Sequence, residues 1–141
     1  MGWILPFTVK RRITTNFYRG VVFVMSDVLT KIEIITRPTK FDELRQALAK
    51  IGVSGITVTN ALGCGFQKGF TELYRGKKKE VDMHERIKVE IVVCEVPVQQ
   101  VVDTARSVLN TGKPGDGKIF IHELADAIKI RTGDTGCAAL N

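Results

Sequence analysis

The chain lacks the residue spacings from which a metal centre or a disulfide framework would be read. Its three cysteines, Cys64, Cys94 and Cys137, include no CxxC pair, and its two histidines, His84 and His122, stand apart. An odd number of widely separated cysteines fits a reducing compartment better than a disulfide scaffold, so each is expected to be a small buried or incidental residue. No run reaches the roughly 20 apolar residues of a membrane span. Acids are missing from positions 1–24, where Lys10, Arg11, Arg12 and Arg19 supply four of the net +6 charges. The remaining excess, spread from Met25 to the end, is too slight to argue for a nucleic-acid partner. A hydroxyl is also absent where a phosphate loop would need it: Gly112-x-x-x-x-Gly117-Lys118 is followed by Ile119. A Walker loop uses Ser or Thr there to hold magnesium, and a helix behind it to aim N–H groups at phosphates.

The elements around that loop have the reverse order. The residues before Gly112 pattern as a helix and those from Ile119 to His122 as a strand, giving helix, glycine loop, strand. Gly112, Gly115 and Gly117 still let the backbone approach an anion closely, and Lys113 and Lys118 supply charge. An ordinary Gly/Pro turn is the competing reading of the loop taken alone.

Residues 1–24 differ in character from the rest of the chain. Their apolar run precedes the basic residues, the wrong order for a secretory signal. Pro6 stands where a myristoylation site wants Ser or Thr. They are expected to be a poorly ordered leader upstream of a true start at Met25, with an organelle transit segment as the alternative. Residues 25–141 then form one domain, large enough to bury a core without disulfides or metal.

Within that domain the periodicity is regular. Residues 31–37 alternate, with Ile32 and Ile34 against Lys31 and Glu33, and Pro38 ends the strand. Thr39 precedes Asp42 like a capping box, Phe41, Leu44, Leu48 and Ile51 recur at helical spacing, and Gly52 closes the helix. A β-branched strand over 56–62 comes next. Residues 86–94 form another, with Ile87, Val89, Ile91 and Val93 on one face and Arg86, Lys88, Glu90 and Val92 on the other. Pro97 opens a second helix carrying Val98, Val101, Val102, Ala105 and Leu109 on one stripe. The order β-α-β-β-α-β predicts an α+β, ferredoxin-like domain, with both helices on one face of a four-stranded sheet. Charges on the other face call for a ligand or a second subunit. The third strand holds no aromatic residue, which excludes the stacking platform of an RNA-binding domain of this plan.

The connection over residues 66–83 is anomalous: about 18 residues replace the two to five of a hairpin. Phe70, Leu73, Tyr74 and Val81 sit there among many charges, which suits a loop that docks on a partner rather than one that packs at home.

Three stretches, GITVTNALGCGFQKGFTELYRG at 55–76, TGKPGDGKIF at 111–120 and IKIRTGDTG at 128–136, resemble the PII signal-transduction proteins, trimeric nitrogen regulators. The resemblance runs from about Lys31 to the C-terminus. It implies a non-catalytic homotrimer whose clefts between subunits bind ATP or ADP. Gly115, Asp116, Gly117 and Lys118 would wrap the phosphates, Lys129 and Arg131 would reach them from the neighbouring subunit, and Gly63, Cys64, Gly65, Phe66, Gln67 and Lys68 would add contacts from the base of the long loop. Ile35, Thr57, Glu90 and Val92 would line the nucleotide pocket.

The resemblance further implies a 2-oxoglutarate site formed with Mg-ATP, where Gln67 would help hold magnesium, Lys68 would contribute, and Arg86 replaces the family's lysine. An arginine is larger and planar, so adenylate sensing without 2-oxoglutarate is the alternative. The usual modification sites are lost: the uridylylated tyrosine corresponds to Lys79 and the phosphorylated serine to Lys77. Phe70, Tyr74, Arg75, Lys77, Lys78 and Lys79 would instead dock on a partner, the lysines favouring an acidic surface. By the same resemblance that partner is a membrane ammonium transporter, or another transporter or an enzyme of nitrogen metabolism, and the protein is cytoplasmic, reaching the membrane only through it.

Overall fold

A computed structural model describes the backbone of residues 13–18, 21–26, 28–64 and 83–141, with side chains from residue 28 onward. Strands β1 (Ile13–Tyr18) and β2 (Val21–Ser26), within and just beyond the leader, pair antiparallel as a sheet of their own, Ile13 opposite Ser26.

The domain proper runs β3 (Thr30–Thr36), α1 (Phe41–Lys50), β4 (Thr57–Gly63), β5 (His84–Val93), α2 (Val98–Leu109) and β6 (Lys118–Glu123). The strands hydrogen-bond in the order β4-β5-β3-β6 with every neighbour antiparallel. This is the ferredoxin-like arrangement: β3 and β4 are joined through α1, and β5 lies between them.

Alternation in β3 and β5 decides which face is covered. Ile32 lies opposite Ile91 and Ile34 opposite Val89, all at most 1 % exposed. Against them pack Leu44 and Leu48 from α1 and Val101 and Ala105 from α2, each fully buried. Burying one such Leu or Ile side chain contributes on the order of 2–3 kcal/mol.

The ends of α1 show how the sequence sets it. Pro38–Lys40 makes a single 3-10 turn before the helix, and Lys40 at the N-cap gives no side-chain capping bond. The capping box expected from Thr39 is therefore not formed; Pro38 places Thr39 inside that turn, ahead of the cap position. At the other end Gly52 adopts φ +91°, Gly52 N–H donates to Ala49 O (3.1 Å) and Val53 N–H to Leu48 O (3.1 Å). This is a Schellman stop, and Val53 and Leu48 supply its apolar contact in the core.

The cysteines do not stand alone as expected. Cys94, just past β5, and Cys137, in the C-terminal 3-10 turn Gly136–Leu140, form a disulfide with Cα atoms 5.7 Å apart; Cys64 is free and exposed. Forty-three residues separate the pair, so no local spacing announces it; the C-terminal turn folds back against β5 and brings the two together. In the chain-entropy picture such a loop is worth about 4 kcal/mol.

Thiol titration of the denatured, unreduced protein is expected to count one thiol, Cys64, and three after reduction. A count of three before reduction would contradict the pairing.

Candidate functional site

The open face of the sheet presents three cross-strand rows, given by register alone. Lys118, Ile35, Lys88 and Thr59 form the first, Phe120, Glu33, Glu90 and Thr57 the second, and His122, Lys31 and Val92 the third. Ile35, Thr57, Glu90 and Val92 thus share one surface with Lys118. Glu33 and Glu90 lie directly opposite each other, an arrangement that like charges disfavour unless cations intervene. Lys31 intervenes: its ammonium is 3.2 Å from Glu90 Oε1 and 3.8 Å from Glu33 Oε2, while Lys88 is 3.5 Å from Glu90. The Lys31 hydrogen bond is the main reason that the Glu90 carboxyl is held below the usual glutamate range. Lys31, Glu33, Lys88 and Glu90 accordingly meet one another within the chain, while Lys118 on the same face makes no ion pair among the described residues.

The glycine loop lies at the edge of that face, between the C-terminus of α2 and the start of β6. A helix C-terminus points carbonyls, not N–H groups, at the loop, so its dipole opposes an anion there. Lys40 offsets part of this by donating from Nζ to Val108 O (2.9 Å). Donors for an anion must come from the loop itself. Gly112, Gly115 and Gly117 all have positive φ, and the Gly115 N–H has no acceptor among the described residues.

The loop is built onto the end of β3. A Cβ on Gly117 (φ +112°) would overlap the Ile35 carbonyl oxygen, so only glycine allows the loop to lie this close. Buried Thr36 donates from Oγ1 to Asp116 O (2.9 Å), and Arg37 donates from Nη2 to Pro114 O (2.6 Å). The Asp116 carboxylate turns back into the loop, accepting from Thr111 N–H (2.7 Å) and from the Thr111 hydroxyl, with Arg37 Nη1 4.0 Å away. Those Thr111 bonds, then burial in the opposite sense and the Arg37 charge, leave the Asp116 carboxyl below the usual aspartate range. A small cleft of about 30 Å³ beside the loop is lined by Thr36, Arg37, Lys40, Thr111 and Asp116 among others.

Arg86 approaches the same loop from β5. Its Nη2 lies 3.3 Å, and Arg37 Nη2 2.5 Å, from where a Gly115 Cβ would stand. Arg37 and Arg86 therefore approach a loop that itself carries Lys113, leads into Lys118, and has its one acid, Asp116, already engaged. Thr36, Arg37 and Thr111 were not legible as part of this site. The one signal was the Arg37-Pro38 pair, since a residue before proline is driven extended; Arg37 has φ −74° and ψ 146°.

Lys129 and Arg131 sit on a C-terminal hairpin closed by Lys129 N–H to Asp134 O (2.9 Å) and by the Ile128–Thr135 bridge. Lys129 Nζ donates to Asn141 O, and among the described residues neither cation is bonded to the glycine loop. Gly63 closes β4 beside Arg86, and exposed Cys64 comes next. Gly65, Phe66, Gln67, Lys68, Phe70, Tyr74, Arg75, Lys77, Lys78 and Lys79 lie outside the described residues. Among the described residues no group of His, Cys, Asp or Glu could hold a metal ion, and no helix is long and apolar enough to cross a membrane.

Fold and loop together define a ferredoxin-like domain with a preformed, cationic glycine loop suited to an anion. The family model for nitrogen regulatory protein P-II matches residues 29–134, and the chain belongs to that family of non-catalytic signal-transduction regulators. It is 56 % identical over 116 residues to the nitrogen regulatory PII-like protein of Bacillus subtilis (strain 168), covering 82 % of this chain and 100 % of the relative. It is 48 % identical over 112 residues to nitrogen regulatory protein P-II 1 of Escherichia coli (strain K12), covering 79 % of this chain and 100 % of the relative. Among solved structures it is similar to a B. subtilis GlnK-ATP complex, with TM-score 0.69, 50 % identity, and coverage of 81 % of this chain and 99 % of that one. A second B. subtilis GlnK structure gives TM-score 0.69 at 55 % identity, covering 79 % and 98 %.

The Asp116 bonds carry a pH dependence whose sign is fixed. A carboxyl held low in the folded state stabilises the fold above its unfolded titration range, and that stabilisation is lost as pH falls through the folded pKa. Thr111→Val is expected to raise the Asp116 titration toward the ordinary aspartate value and to weaken the acid limb of the stability profile, read by carboxyl chemical shifts against pH. An unchanged Asp116 titration would contradict the assignment.

Proposed function

We propose that the protein is a homotrimeric adenylate sensor of the PII type, binding ATP or ADP competitively in clefts between subunits and passing the state to a target through residues 66–83. The observation that carries this reading is the glycine loop. It is preformed on β3, approached by Arg37 and Arg86, flanked in sequence by Lys113 and Lys118, and belongs to a chain similar to a B. subtilis GlnK solved with ATP. Its donor set fits phosphates: loop N–H groups, nearby cations, and an internal carboxylate whose hydrogen bonds are turned into the loop.

The open face supports the rest. Ile35, Thr57, Glu90 and Val92 share the open face with Lys118, where they would meet a base and sugar, and Lys129 and Arg131, which make no bond to this chain's own glycine loop among the described residues, would serve a neighbouring protomer. Ile128, Ile130, Leu62 and Phe120 are exposed on this chain, with Ile130 entirely so, which suits burial between protomers. Magnesium with ATP would fall to Gln67, outside the described residues. The target would be an ammonium transporter, with another transporter or a nitrogen-metabolism enzyme behind it, and the protein would work in the cytoplasm and reach the membrane only through that partner.

Arg86 favours a second reading, adenylate sensing without 2-oxoglutarate. Its guanidinium reaches the glycine loop, Nη2 lying 3.3 Å from a Cβ position on Gly115. A compact ammonium would leave the space beside Gly115 open.

Titration calorimetry is expected to show ATP and ADP competing for one site per protomer, with Lys118→Ala weakening both by about tenfold or more. Equal binding by the variant, or none by the wild type, would overturn the proposal. Adding 2-oxoglutarate to the ATP complex separates the two readings: heat of binding favours the full sensor, and silence the adenylate-only form.

A further inference from the structure

We infer that Arg37 is the positioning residue of the glycine loop, holding it in ligand-ready shape and cancelling its single negative charge before any phosphate arrives. The inference rests on the nucleotide-binding reading above, and goes beyond it by assigning a role to a residue outside the loop. One guanidinium does two things. Nη2 donates to the Pro114 carbonyl at 2.6 Å, occupying that acceptor, and Nη1 stands 4.0 Å from Asp116 Oδ1.

Each part of the geometry has a local cause. Pro38 drives Arg37 into extended backbone at the end of β3, and Thr36, one residue earlier, is already bonded to the Asp116 carbonyl. Gly117 lets the loop settle on the Ile35 carbonyl. Three consecutive residues at the end of β3 thus hold the loop at 114, 116 and 117, and Arg37 is the only one of the three that brings charge. An Asp116 carboxylate without that partner would face incoming phosphates as a like charge in a partly buried place, where such repulsion is least screened. The Thr111 bonds fix the carboxylate but leave its charge in place. A lysine at 37 would keep the charge and lose the fork.

The test combines three variants with two readouts. Amide hydrogen exchange of residues 112–118 in nucleotide-free protein reports the loop without any ligand: Arg37→Gln is expected to speed it severalfold, with exchange in β3 and β5 unchanged, and Arg37→Lys to fall between. Nucleotide titration reports the charge: Arg37→Gln is expected to bind ATP about tenfold more weakly, and Arg37→Lys to recover most of that loss. Asp116→Asn placed in the Arg37→Gln background is expected to restore part of the affinity, because it removes the uncompensated carboxylate, so the two substitutions are strongly non-additive. Unchanged exchange with unchanged affinity in Arg37→Gln would overturn the inference, as would additive losses in the double variant. If wild-type protein bound no nucleotide while exchange still rose in Arg37→Gln, the nucleotide reading would fall and the loop-holding role would stand.

Discussion

The functional surface depends on one close approach, the backbone of Gly117 lying on the carbonyl of Ile35. Because a Cβ cannot fit there, the glycine loop is seated on the end of β3 rather than standing free. The other contacts of the site depend on that seat. Thr36 and Arg37 come within reach of the loop carbonyls, Lys118 enters β6 opposite Ile35, and the loop becomes continuous with the open face of the sheet. A loop fixed before ligand arrives saves the ordering cost that a mobile one would incur on binding.

Electrostatics complement this geometry. The C-terminus of α2 would repel an anion, and Lys40 on the Val108 carbonyl softens that end. The two facing glutamates, Glu33 and Glu90, would repel each other, and Lys31 bridges them while Lys88 adds a second cation at Glu90. Asp116 would repel phosphate, and Thr111 and Arg37 turn it inward. In each place a charge that looks adverse in isolation is answered by a neighbouring side chain, from another element in the case of Lys40 on Val108, Lys31 on Glu90 and Arg37 on Asp116. Among the described residues, Arg86, Lys113 and Lys118 at the glycine loop make no ion pair.

Periodicity made the scaffold legible. Ile32, Ile34, Val89 and Ile91 alternate because one face of β3 and β5 is buried, and Leu44, Leu48, Val101 and Ala105 repeat at helical spacing because α1 and α2 cover that face. Gly52 signalled its own Schellman stop. The glycine loop was legible too, since Gly-x-x-x-x-Gly-Lys with Ile119 behind it can be a phosphate loop only in a reversed form that leads into a strand. The long-range contacts stayed hidden. Thr36 meets Asp116 across 80 positions, Arg37 meets Pro114 across 77, and Cys94 meets Cys137 across 43. No spacing rule reaches so far, because these contacts depend on β3 and β6 being neighbours and on the C-terminal turn folding back on β5. The Thr39 capping box failed for a local reason instead: Pro38 inserted a 3-10 turn and shifted the cap to Lys40.

A loop seated in advance and emptied of free negative charge makes one demand on solution behaviour. Backbone amide resonances of Gly112, Gly115 and Gly117, monitored by NMR while ADP is added, test it most directly. They should move first and furthest and saturate at one nucleotide per protomer, while the resonances of α1 stay in place. Saturable nucleotide binding that left those three glycine amides unmoved would put the phosphates elsewhere and contradict the assignment of the loop.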